Sequence, residues 1–102
     1  MASRLELQRR LEEILGSNNV YYQPPENVRM KYPCFVYEQY TTFNPHADDK
    51  SYLYLPGYQV TIIDYDPDSP LKEKIINSIP MCRWSRHYVS DNLNHDVFVV
   101  YY

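Results

Sequence analysis

Two one-sided helical stripes, set in a chain that otherwise alternates, limit the fold more than any other feature. Near the start, Leu7, Leu11, Ile14 and Leu15 recur at i, i+4, i+7 and i+8, which places them on one helix face. Arg4, Gln8, Arg9, Glu12 and Glu13 take much of the other face. Ser3 with Glu6 three residues later reads as a capping box, and Gly16 stands where a left-handed stop is expected. The second stripe is Leu71, Ile75 and Ile79, stopped by Pro80. It is entered through Asp66-Pro67-Asp68-Ser69-Pro70, with Ser69 as N-cap, Pro70 at the first helical position and acids at the positive end of the dipole. A helix that is apolar on one side needs a surface to bury that side against, and the rest of the chain reads as a sheet.

The strand signals follow in order. Val20-Tyr21-Tyr22 is a short strand ended by Pro24-Pro25, which removes two N–H donors. Pro33 opens a run from Cys34 to Thr42, rich in aromatic and β-branched residues. A second run, Tyr52 to Asp64, sets Tyr58, Val60 and Ile62 on one face against Gln59, Thr61 and Ile63 on the other. Pro56-Gly57 within it predicts a bend or bulge. These two runs are expected to be antiparallel neighbours with Phe43 to Ser51 as their tip. Met81 to Val89 and His95 to Tyr102 flank a turn at Ser90 to Asn94 and read as a hairpin. The last strand alternates Val97, Val99 and Tyr101 against Phe98, Val100 and Tyr102, so it should pair inside the subunit or lie at an interface. The prediction is a single α+β domain over residues 1–102. It is a two-layer sandwich in the order α-β-β-β-α-β-β, an antiparallel sheet of four to five strands with both helices on one face.

Composition narrows the function classes. A chain of 102 residues buries enough surface to fold without staples. Tyrosine is the outlier, at 12 copies against one Trp and three Phe. A ring with a polar tip suits surfaces that are half packed and half wet, so the open sheet face is expected to carry much of the Tyr and to meet partners. A net charge of −3, with scattered basic residues, speaks against general nucleic-acid binding. No apolar run approaches the roughly 18 residues of a membrane span, and the opening MASRLELQRR reads as mature protein made in a cytosol. Cys34 and Cys82 lack metal-ligand spacing and read as buried free thiols.

The stretch NPHADDKSY, Asn44 to Tyr52, holds the residues that most resemble chemistry. His46 with Asp48 offers too few ligands for a structural metal site. Asp48 and Asp49 are sequence neighbours in a polar tip, where solvent levels their acidities. His95-Asp96 imitates a dyad, yet adjacent strand positions face opposite sides of a sheet. With two glycines, phosphate-cradling loops are excluded. No catalytic residue, metal or cofactor is therefore assigned. The candidate contact residues are Phe43, His46, Asp48, Asp49, Lys50, Tyr52 and Tyr54 around the tip, with Tyr101 and Tyr102 at the end of the chain. The tip is expected to be mobile alone and ordered against another chain.

Three stretches carry a family resemblance: VYYQPPENVRMKYPCFVYE (Val20 to Glu38), YQVTIIDYDPDSP (Tyr58 to Pro70) and RHYVSDNLNHDVFVVYY (Arg86 to Tyr102). Together with the ADDK tip, they resemble tail-terminator, or tail-completion, proteins of long-tailed bacteriophages. The resemblance implies a virion protein, assembled in the bacterial host cytoplasm, that forms a ring, usually a hexamer, on the head-proximal end of the tail tube. Such a ring ends tube polymerisation, meets the tail tube protein and the head connector or stopper, and lets DNA pass through its lumen without specific binding. Other readings stay open: another neck component such as a head-completion or stopper protein, a small adaptor domain, and a hydrolase using His46, Asp48 and Asp49.

Overall fold

The computed structural model describes residues 4–24, 29–43 and 55–102, leaving aside the side chains of 41–43, 55 and 56. Helix α1 (Arg4–Leu15) follows from the first stripe and buries Leu7, Leu11 and Ile14. It ends at Gly16, whose φ of +83° is the left-handed conformation that only glycine adopts without strain. Ser3, the predicted capping residue, lies outside the described residues. Next come β1 (Val20–Tyr22), β2 (Cys34–Phe43), β3 (Leu55–Asp64), α2 (Leu71–Ser78), β4 (Cys82–Ser90) and β5 (Leu93–Tyr101). The α+β architecture and the element order are those expected, and the five strands form one sheet in the order β1-β2-β3-β5-β4.

The sheet differs from the expectation in being mixed, because β1 pairs with β2 in parallel. Eleven residues separate the two strands, too many for a tight hairpin and enough for the reversal that a parallel pairing requires. Part of that return packs on the sheet face opposite the helices. There Met30, Tyr32, Tyr21 and Val36 gather around Cys34, Ile63 and Leu93 in a second, smaller core.

The main core lies between the sheet and the helices. Phe35, Tyr37, Tyr58, Val60, Ile62, Phe98 and Val100 of the sheet meet Leu7, Leu11 and Ile14 of α1 and Leu71, Ile75 and Ile79. Tyr58, Val60 and Ile62 thus share the buried face, as their spacing predicts. The described tyrosines divide between the two faces: Tyr22, Tyr37, Tyr58 and Tyr102 pack into or against the helix-side core, while Tyr21 and Tyr32 join the second core and Tyr88 stacks on His95 on the opposite face. Entry to α2 falls one residue later than expected, with Pro70 at the cap position and Leu71 the first helical residue, although Ser69 still contacts the first turn. The Ser69 hydroxyl accepts the Leu71 N–H at 3.3 Å, and Ser69 is itself buried.

Two bulges adjust the ladder. Tyr40 is an extra residue on β2 opposite the Gly57–Tyr58 step, so the irregularity predicted at Pro56-Gly57 falls on the partner strand. Ser85 is an extra residue on β4. The β4–β5 hairpin is tighter than the predicted five-residue turn, since only Asp91 and Asn92 lie between the strands. Both have positive φ, 55° and 64°, as a type I′ turn requires. Strand β5 lies between β3 and β4, paired on both sides, which places the terminal strand inside the subunit.

Candidate functional site

Of the nine candidate contact residues, Tyr101 and Tyr102 are in the described part of the chain in full. Tyr101 is half-buried at the end of β5, its N–H donating to the Met81 carbonyl at 2.9 Å. Tyr102 is half-buried and packs against the main core. Phe43 ends β2, with its side chain outside the description, and His46, Asp48, Asp49, Lys50, Tyr52 and Tyr54 lie outside the described residues. Among the described residues, no group of three or more His, Cys, Asp and Glu comes together as a metal site.

A polar cluster does form elsewhere. His95 and Asp96 face opposite sides of the sheet, as neighbours on a strand should, but Asp96 lies directly across from His87 on β4. His87 Nδ1 is 3.0 Å from Asp96 Oδ1, Trp84 Nε1 donates to the same oxygen at 3.4 Å, and Lys72 Nζ of α2 lies 3.9 Å from Oδ2. A carboxylate only accepts, so Nδ1 carries the proton in this contact. Asp96 is 4% exposed, and each of its three neighbours comes from a different position on α2 or β4. The arrangement clamps the edge strand and α2 to β5. On the opposite face Tyr88 stacks on His95, with ring centroids 4.6 Å apart. Sequence reasoning weighed His95 against Asp96 and missed His87, because cross-strand pairing, not adjacency, brings the groups together.

The thiols are poor nucleophiles. Burial pushes Cys34 up to about 12, with the charge of Asp64 adding to it, and burial alone pushes Cys82 up to about 11. Both cysteines are free, and two strands of the sheet separate them.

What the described surface offers is an edge. Strand β4 ends the sheet, so among the described residues one side of its backbone has no neighbouring strand. Residues Arg83 to Ser90 are all exposed, and Trp84, Tyr88 and Val89 make the edge apolar. Arg83 and Arg86 make it basic, and the strand contains no Asp or Glu. At its start, Pro80, Met81, Cys82, Arg83, Val99 and Tyr101 line an open cleft of about 370 Å³. A strand edge of this kind has the backbone groups and exposed apolar area with which an added strand could pair. No helix among the described residues is long and apolar enough to cross a membrane. No protein-family model matches this chain, and no curated protein matches it.

Proposed function

We propose that the chain is a structural protein of the neck of a long-tailed bacteriophage, a tail terminator. Copies form a ring, six in the number the resemblance implies, at the head-proximal end of the tail tube. The ring stops tube growth and joins the tail to the head connector. The observation that carries this reading is the set of three sequence stretches, Val20 to Glu38, Tyr58 to Pro70 and Arg86 to Tyr102. In the fold these stretches are neighbours: they supply the whole of β1 and β5, most of β3, and parts of β2 and β4. A resemblance spread over one continuous sheet supports a shared fold better than one confined to a single loop. The exposed β4 edge supports it in kind, since a ring needs surfaces that receive other subunits. A net charge of −3 repeated in each copy suits a lumen through which DNA slides without sticking. The protein performs no reaction in this reading and needs no cofactor.

A map of the intact particle tests the assignment. The chain should occupy a ring between the tube and the head connector; density for it at the stopper position would assign it to a different neck role. The Asp48→Lys/Asp49→Lys double variant should impair joining or DNA passage with a nearly unchanged melting temperature. Wild-type infectivity from that variant removes the tip from the mechanism.

The free β4 edge also favours a second reading, an adaptor domain that binds a peptide as an added strand. A chain that captures extended peptides but leaves tail length unaffected when deleted would favour the adaptor.

A further inference from the structure

The cleft at the base of β4 has a complement on the same molecule. Where β3 leaves the sheet, Tyr65 stands 66% exposed among Asp64, Asp66 and Asp68. This loop is held in shape. Asp64 Oδ1 accepts the Asp66 N–H at 3.1 Å, Asp66 Oδ1 accepts the Asp68 N–H at 2.9 Å, and Tyr65 packs edge-on against Tyr32. It therefore presents an exposed aromatic ring with three aspartates as close sequence neighbours, the Lys72 ammonium being held against the Pro67 carbonyl at 2.9 Å, at little further ordering cost on binding. The cleft offers the reverse, an apolar wall from Met81 and Val99 with the Arg83 cation beside it. Arg86 lies on the same sheet face as Arg83, since their β5 partners are Val97 and Val99.

Loop and cleft sit at opposite ends of the sheet. Asp64 pairs with Asn94 at one end of the β3–β5 ladder, and Gly57 pairs with Tyr101 at the other. Seven residues of strand span roughly 23 Å, so a subunit cannot fill its own cleft with its own loop. The fitting occupant is a second copy. We propose that the Tyr65 loop of one copy docks in the Met81–Arg83 cleft of the next, with the three aspartates facing Arg83 and Arg86. Knob and hole are different surfaces, so the contact is heterologous and propagates head to tail until it closes. The proposal rests on the ring reading and specifies its contact.

Sedimentation of the full chain across a concentration series, at low salt, tests the docking. Wild type should associate, and added salt should weaken the association. Tyr65→Ala, Arg83→Asp and the cleft-filling, uncharged Met81→Trp should each weaken it by roughly tenfold or more, with melting temperatures confirming that each variant is folded. Asp68→Arg should weaken association alone and restore it when combined with Arg83→Asp. Association that is equal in all variants overturns this contact and leaves the ring reading standing. A wild-type chain that stays monomeric also overturns the docking, and the ring reading is then decided by the particle map.

Discussion

His87 and Asp96 face each other across the β4–β5 ladder, imidazole to carboxylate at 3.0 Å, although nine positions separate them in sequence. The carboxylate is the buried partner and the imidazole the half-exposed one, so their removal should not cost the same. Asp96→Ala strands the Trp84 indole N–H and the Lys72 ammonium and should destabilise by about 1–3 kcal/mol. His87→Ala leaves the carboxylate its other two neighbours and should cost less, about 1 kcal/mol or under. Denaturant titration of both variants checks the order, and a larger loss from His87→Ala would contradict it.

Tyr37 makes a second discriminating site. Its ring is fully buried, while its hydroxyl donates to Gln8 Oε1 and accepts from Arg4 Nη1 at 3.1 Å. The same Arg4 guanidinium sits 4.3 Å from the Tyr22 ring centre, so α1 is fastened to the β1–β2 edge through one arginine. Tyr37→Phe should lose about 1 kcal/mol, and Tyr37→Ala about 3–5 kcal/mol. Equal losses would mean that the hydroxyl contacts, and not the ring, dominate.

Deleting Val99–Tyr102 removes the end of a central strand. It takes away buried Val99 and Val100 and their pairing with both β3 and β4. The shortened chain should lose its cooperative thermal transition in circular dichroism. A cooperative melt near the wild-type temperature would show that the sheet closes without this segment.

Gly16→Ala isolates a backbone effect. A methyl group there meets nothing within 4 Å, so no packing change accompanies the strain of a φ of +83°. The expected loss is about 1–2 kcal/mol, and Gly16→Asn should recover part of it. An unchanged melting temperature for Gly16→Ala would mean that α1 ends differently in solution.

Alkali should loosen the fold before acid chemistry matters to these groups. Burial raises both thiols from an ordinary 9.0, to about 12 for Cys34 and about 11 for Cys82, so the folded state favours the neutral thiol. That preference contributes fully below pH 9 and is lost as the pH climbs through the folded values. Tyr37 and Tyr32, also raised by burial, act in the same direction. The melting temperature should fall as pH rises above about 9, and less steeply in Cys34→Ala. A melting temperature flat across that range would contradict the burial of these groups.

Both helices and the buried face of β3 were legible because periodicity is a local signal: Leu7, Leu11 and Ile14, then Leu71, Ile75 and Ile79, each declare a face within a few residues. The parallel pairing of β1 was not legible, since a three-residue strand carries no sign of its partner's direction. The Asp96 cluster was within reach. Reading Asp91-Asn92 as a two-residue turn fixes Ser90 opposite Leu93, and counting outward reaches His87 opposite Asp96. A five-residue turn loses that register. The exposed β4 edge needed the strand order, which depends on long-range pairing. The tip candidates from His46 to Tyr54 lie outside the described residues, and the experiments above carry that part of the assignment.

Ser85 works as a phase shifter. Under strict alternation, Arg83 and Arg86 would point to opposite sides of the sheet, and so would Trp84 and His87. The extra residue resets the count between them, so both cations emerge beside Val97 and Val99 while the indole and imidazole converge on Asp96. One inserted serine therefore sorts the charge of the edge onto one side and its anchoring onto the other. Strand length in β4 consequently decides which groups share a side: excising this residue would scramble two surfaces at once while altering no side chain on either.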